Sequence, residues 1–198
     1  IDDRFDVKDQ KYIDTKRTST FLLRSFLCLT VIINCSNLSI QLKHTLKTYG
    51  RELIYALIIP LAAGAFSSVL TPNSSEIFNM LNKPPLSPPG WLFPVVWTVL
   101  YIFMGLASFL VYTSDKYTKP ALTLYCTQLF LNFMWSIIFF NLQMYLAAFF
   151  WLFLMWFLII ITIVLFYEIC KPAAYLMIPY LVWVTYAGYL NLAIYMLN

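Results

Sequence analysis

Charged side chains are scarce in this 198-residue chain. Asp, Glu, Lys and Arg make up 11% of it, less than half of the roughly 25% that is typical of soluble domains. None of them, and no histidine, occurs between residues 53 and 75, 84 and 114, or 120 and 167. Proton relays and ion pathways in membranes usually need such groups, and the hydroxyls and thiols in these stretches have no general base beside them. The sequence therefore argues against hydrolase or pump chemistry.

Histidine and cysteine are also rare. The single histidine, His44, has no nearby cysteine or carboxylate, and the four cysteines show no CxxC spacing. A protein metal site needs several such ligands, so we predict no metal. The net charge is only +4, and the aromatic residues lie in apolar runs instead of alternating with basic residues. Binding to nucleic acid is therefore not expected.

Apolar residues, in contrast, form long continuous runs and make up 61% of the chain. Five runs reach the length of about 20 residues that a membrane-spanning helix needs, and they lie near 53–71, 92–113, 121–141, 145–167 and 173–196. They lack the alternating pattern of membrane β-strands. The sequence predicts an all-α integral membrane protein, a five-transmembrane-helix bundle over residues 49–198, with a tight hairpin between the third and fourth spans.

Residues 1–48 have a different composition. They contain eight of the thirteen Lys and Arg residues and five of the nine acids, with only a short apolar stretch at 26–33. We interpret them as a polar, basic N-terminal extension, either a targeting peptide or a disordered or interfacial segment.

The basic residues that flank the spans predict the orientation. Five-helix topology places most of them on one side and only Lys83 on the other; the larger group is Lys43, Lys47, Arg51, Lys116, Lys119 and Lys171. Because short cytoplasmic loops are enriched in Lys and Arg, we expect the N-terminus inside and the C-terminus outside. Composition favours a bacterial plasma membrane, with the mitochondrial outer membrane as the alternative.

Polar and aromatic residues recur at helical spacing in three spans. They are Trp97, Tyr101, Met104 and Ser108 in the second, Gln128, Asn132 and Trp135 in the third, and Trp183, Ala187 and Asn191 in the fifth. Residues three or four apart share a helix face, and polar groups in a span face the protein interior. We predict an interior lined by these three spans, with the fourth span against lipid or another subunit. Alternatively, the amides serve only as hydrogen bonds between helices.

Two further features concern packing and access. Gly64 and Ser68 in the first span form a pair of small residues four apart, which favours close helix contact either inside the bundle or across a dimer. Four prolines between Lys83 and Gly90 exclude a helix there. This stiff loop is either a lid over a binding site or a turn that only directs the second span.

Three sequence blocks carry a family resemblance. They read NKPPLSPPGWLFPVVW at 82–97, QLFLNFMWSIIFF at 128–140, and IPYLVW at 178–183 followed by YLN at 189–191. In these blocks, their order and their spacing, the chain resembles the TspO/translocator-protein family over about residues 53–198. The resemblance implies a bundle, often homodimeric, that binds porphyrins and haem as ligands and requires no cofactor. Some members also bind cholesterol or benzodiazepine-site compounds.

The resemblance further implies a pocket beneath the proline-rich loop and a function in porphyrin sensing, transport or photooxidative degradation. Trp97 and Trp183 match the two tryptophans that matter when relatives degrade protoporphyrin IX, so they would be the catalytic residues if this chain does so. Together with the helix faces, the resemblance gives ten ligand-binding candidates, which are Phe78, Pro88, Trp97, Tyr101, Gln128, Asn132, Trp135, Trp183, Ala187 and Asn191.

The chain departs from the family at the loop. Leu86 stands where relatives commonly have Trp, and Ile77-Phe78 stands where they usually have Trp-Tyr, so a ring and a hydroxyl are missing. The C-terminal sterol motif lacks its basic residue after Tyr195, and such motifs are weak in any case. The alternative functions are a lipid- or sterol-binding scaffold, or a metabolite transporter, although a transporter usually shows internal repeats.

Overall fold

The structure, a computed structural model, describes residues 49–114 and 116–198. The predicted N-terminal extension lies outside the described residues. The helices are α1 (Tyr49–Leu70), α2 (Ser74–Met80), α3 (Leu92–Tyr112), α4 (Lys119–Ser136), α5 (Tyr145–Ile169) and α6 (Lys171–Leu197).

Five helices of the described chain are long and apolar enough to cross a membrane, namely α1, α3, α4 with its extension to Asn141, α5 and α6. They contain 21 to 27 residues each and have hydropathies between 1.3 and 2.8. This confirms the predicted fold class. The observed limits of the other four spans, and the end of α1 at Leu70, lie within two residues of the predicted ones.

The helices form an up-and-down bundle in which α3 packs against α6 and α5 packs against both α4 and α6. At one end, the Lys116 ammonium group donates to the carbonyl of Glu168 and so joins the α3–α4 connection to the last turn of α5. At the other end, Asn141 Nδ2 donates to the carbonyl of Leu70 at 2.8 Å. The second contact fixes the end of α1 beside the end of α4.

The predicted hairpin between the third and fourth spans has a specific backbone form. The α4 helix continues into a π-helical turn at Ile137–Asn141, closed by a bond from the Leu142 N–H to the carbonyl of Ile137 at 3.1 Å. Gln143 then adopts a positive φ of 52°, a left-handed conformation that is uncommon outside glycine. The wider π-helical turn is often found at functional sites, and here it positions Phe140.

Glycines allow α1 to approach α3 closely. A Cβ atom at Gly105 would lie 2.8 Å from the Ala56 carbonyl oxygen and 3.0 Å from Leu57 Cα, and one at Gly64 would overlap the ring of Tyr101. The close contact predicted at Gly64 is therefore internal to the bundle. Only 11% of the central apolar window of α1 is buried, against 28% for α5. That the fourth span lies against lipid or another subunit stays a prediction, and α1 is the less buried of these two helices.

Candidate ligand site

A cavity of about 460 Å³ lies at the end of the bundle where α1 ends and α3 begins. Its volume falls within the roughly 300–1,000 Å³ of small-molecule sites. Eighteen residues from α1, α2, α3, the loop and the end of α4 line it, namely Leu61, Gly64, Ala65, Ser67, Ser68, Thr71, Ser74, Ser75, Phe78, Gly90, Phe93, Pro94, Trp97, Thr98, Tyr101, Trp135, Ser136 and Phe140. None of these lining residues carries a charge.

One wall of the cavity is aromatic. The rings of Trp97 and Tyr101, one turn apart on α3, stack with centroids 5.6 Å apart and planes at 29°. Nearer the loop, Phe78 of α2 meets Phe93 of α3 edge-on at 4.9 Å. Offset stacked and edge-to-face pairs are the favourable aromatic geometries. This side of the cavity is therefore lined by aromatic rings that pack on one another.

A buried chain of hydrogen bonds orients Tyr101 on the side that faces α4 and α6. Its hydroxyl donates to Asn132 Oδ1 at 2.9 Å, and Asn132 Nδ2 donates to the Tyr180 hydroxyl at 3.0 Å. The Tyr180 hydroxyl in turn contacts Met155 Sδ at 3.5 Å. Asn132 is only 2% exposed and does not line the cavity. Its amide joins α3, α4 and α6 and orients a ring of the cavity wall.

Trp135 and Asn191 form a second buried pair. The orientation of an amide is assigned from its hydrogen-bond partners, and in the assignment that satisfies them Trp135 Nε1 donates to Asn191 Oδ1 at 3.2 Å. Asn191 Nδ2 then donates to the carbonyl of Tyr145 at 2.8 Å. Trp135 lines the main cavity, whereas Asn191 and Ala187 border only a neighbouring gap of about 20 Å³.

Four sequence candidates lie outside both spaces, namely Asn132, described above, and Gln128, Trp183 and Pro88. Gln128 is completely buried, and neither atom of its amide has a hydrogen-bond partner among the described residues. The ring of Trp183 packs edge-on against the ring of Phe93, with centroids 5.8 Å apart. Phe93 lines the cavity, and Trp183 lies behind it. Pro88 lies in the loop without lining the cavity. The structure therefore brings Phe78, Trp97, Tyr101 and Trp135 together at the cavity and leaves these four outside it.

The proline-rich loop is tied to α6. The Tyr186 hydroxyl donates to the carbonyl of Leu86 at 2.6 Å, and the side chain of Asn198 bonds the backbone N–H and carbonyl of Asn82, each at 3.0 Å. The Leu86 side chain is 72% exposed. Leu86 therefore holds the loop through its backbone carbonyl, and its side chain does not line the cavity. The loop reaches the cavity through Gly90.

The opposite wall of the cavity was missed by the sequence reasoning. The last turn of α1 contributes Ser67 and Ser68, and the first turn of α2 contributes Ser74 and Ser75. The prediction placed α6 in the site, took only Phe78 from α2 and took nothing from α1, because it relied on large polar and aromatic residues and on the family resemblance. The available signal was the density of serines on both sides of Thr71-Pro72-Asn73.

Comparison with known proteins agrees with this architecture. The TspO/MBR family model matches residues 56–197. The chain is 41% identical over 142 residues to "Tryptophan-rich protein TspO" of Chlorobaculum tepidum, covering 70% of this chain and 90% of that protein. It is 36% identical over 123 residues to "Tryptophan-rich sensory protein" of Cereibacter sphaeroides (62% and 77% covered). It is also 36% identical over 115 residues to "Translocator protein" of Bos taurus (56% and 68% covered). The chain belongs to the TspO/MBR family.

Proposed function

We propose that this multi-pass membrane protein binds a flat tetrapyrrole, of the protoporphyrin or haem class, in the cavity beside Trp97 and acts in its sensing or transport. The observation that carries the proposal is the uncharged aromatic wall formed by Trp97, Tyr101, Phe78 and Phe93 around a space of about 460 Å³. Such a wall matches the face of a macrocycle, because aromatic contacts favour offset stacking. The names of two relatives, which speak of sensing and translocation, support the same role.

Binding is tested by titrating the detergent-solubilised protein into protoporphyrin IX and following the absorption of the porphyrin. This readout does not depend on tryptophan emission, which any Trp substitution would change. We expect saturable binding that Trp97→Phe weakens about threefold to tenfold, because one favourable aromatic contact contributes about 0.5–1.5 kcal/mol.

Trp156→Phe is the matched control for this titration. Trp156 lies on α5, which contributes no residue to the cavity, and its Nε1 donates to Thr185 at 2.8 Å. We expect its affinity for protoporphyrin to equal that of the unmodified protein. Absence of saturable binding, or equal losses in the two variants, would contradict the proposed site.

A catalytic role in porphyrin breakdown is a second candidate, favoured by the position of Trp97. Its electron-rich indole lines the cavity, and the rings of Tyr101 and Tyr180 lie 5.6 and 6.2 Å from it. Illumination of the bound porphyrin in air distinguishes this role from binding alone. Turnover would be supported if illumination bleaches the porphyrin spectrum in the unmodified protein but not in Trp97→Phe. An unchanged spectrum in the unmodified protein would exclude turnover.

A further inference from the structure

Four serine hydroxyls on the α1–α2 side of the cavity have no hydrogen-bond partner among the described residues. In the spans, Ser108, Thr127 and Thr162 donate back to carbonyls three or four residues earlier in their own helices, at 2.7 to 3.0 Å. The hydroxyls of Ser67, Ser68, Ser74 and Ser75, the serine cluster, form no such bond with any described residue, although all four line the cavity. They are donors that face the cavity and have no partner in their own helices.

The position of the cluster is fixed by the backbone around it. The Thr71 N–H and hydroxyl both donate to the carbonyl of Ser67, at 3.0 and 2.8 Å, which closes the last turn of α1. The Ser74 N–H donates to the carbonyl of Thr71 at 3.1 Å and connects this turn to α2. The backbone thereby holds two pairs of serines on either side of one tight turn.

The lining of the cavity is neutral around the cluster. Lys83 Nζ lies 4.9 Å from the ring centroid of Phe78, which lines the cavity. Lys83 is the only Lys or Arg, and Glu76 the only acid, at this end of the described bundle, and neither side chain lines the cavity. A carboxylate entering the cavity therefore meets hydroxyl donors and no charged lining residue.

We propose that the serine cluster is a subsite for a carboxylate of the ligand, whose flat body lies on the aromatic wall. The subsite rests on the proposed function and narrows its ligand class to amphipathic aromatic acids, such as a porphyrin dicarboxylic acid. A carboxylate has about four lone-pair sites, and moving it out of water is costly unless donors satisfy it. Four free hydroxyls supply such donors without placing a fixed charge in the cavity.

The experiment compares protoporphyrin IX with its dimethyl ester, which keeps the macrocycle and caps both carboxylates. The variant is Ser68→Ala/Ser75→Ala, because both residues are exposed in helices where alanine is the better helix former. We expect its affinity for the acid to fall about tenfold, since hydrogen bonds to charged groups are the strong ones. Its affinity for the ester should stay equal to that of the unmodified protein.

Ser114→Ala is the control substitution, because Ser114 lies at the opposite end of α3 and donates to the carbonyl of Val111. It should change neither affinity. If both compounds bind but the double variant weakens them equally or not at all, the subsite is refuted while the cavity remains. If neither compound binds the unmodified protein saturably, the proposed function fails and the subsite fails with it.

Discussion

Replacing Gly105 by alanine is expected to lower the free energy of unfolding by about 2 kcal/mol, within the roughly 1–3 kcal/mol range of overpacking costs. The added methyl group would lie 2.8 Å from the Ala56 carbonyl oxygen and 3.0 Å from Leu57 Cα. Both are backbone atoms of α1, so no side-chain rotation relieves the overlap. The α1 helix itself must therefore move away from α3, which weakens the contact between the two helices.

Gly188→Ala is the matched control for this substitution. A Cβ atom at Gly188 of α6 would meet its nearest neighbour, Leu152 Cδ2, at 3.5 Å, which is ordinary van der Waals contact. Because alanine is the better helix former by up to about 1 kcal/mol, this variant should be as stable as the unmodified protein or more so. The measurement is unfolding in a mixed-detergent titration followed by far-UV circular dichroism. Equal stability of the two variants would show that the α1–α3 seam can adjust.

The five spans could be predicted from the sequence because the bilayer imposes a minimum apolar length. No charge interrupts the runs, so their number and approximate limits follow from composition alone. The π-helical turn at Ile137–Asn141 and the positive φ of Gln143 could not be read in this way. Neither the π-helical turn nor Gln143 contains a glycine or proline that would indicate an unusual backbone. Their geometry results from closing the α4–α5 hairpin.

The candidate site was predictable only in part. The spacing of Trp97 and Tyr101 placed them on one face, and the structure has both on the cavity wall. Spacing also placed Gln128 and Asn132 on one face of α4, yet only Asn132 meets the tyrosine hydroxyls of α3 and α6. Such partners depend on how far neighbouring helices are shifted along their axes relative to one another. The spacing of residues within one helix gives no information on this shift. The contribution of α1 depends likewise on its glycine contact with α3.

Asn132→Leu is expected to lower the free energy of unfolding by about 3 kcal/mol. The substitution leaves the Tyr101 hydroxyl without its acceptor and the Tyr180 hydroxyl without its donor. Each buried polar group that loses its partner costs about 1–3 kcal/mol, and the two tyrosines are 7% and 0% exposed. Protoporphyrin affinity should fall severalfold as well, because Tyr101 lines the cavity. Loss of stability with unchanged affinity would favour the scaffold alternative.

Gln128→Leu removes an amide one helical turn earlier on α4. We expect it to leave the free energy of unfolding unchanged or to raise it. Both polar amide atoms of Gln128 are buried without a partner among the described residues. Removing them eliminates a desolvation penalty of about 1–3 kcal/mol that no hydrogen bond offsets. The variant should unfold at equal or higher detergent concentration than the unmodified protein and bind protoporphyrin with unchanged affinity. A loss of stability comparable to that of Asn132→Leu would mean that Gln128 has a polar partner in the membrane. The two leucine variants therefore separate an amide that connects helices from one that is only buried.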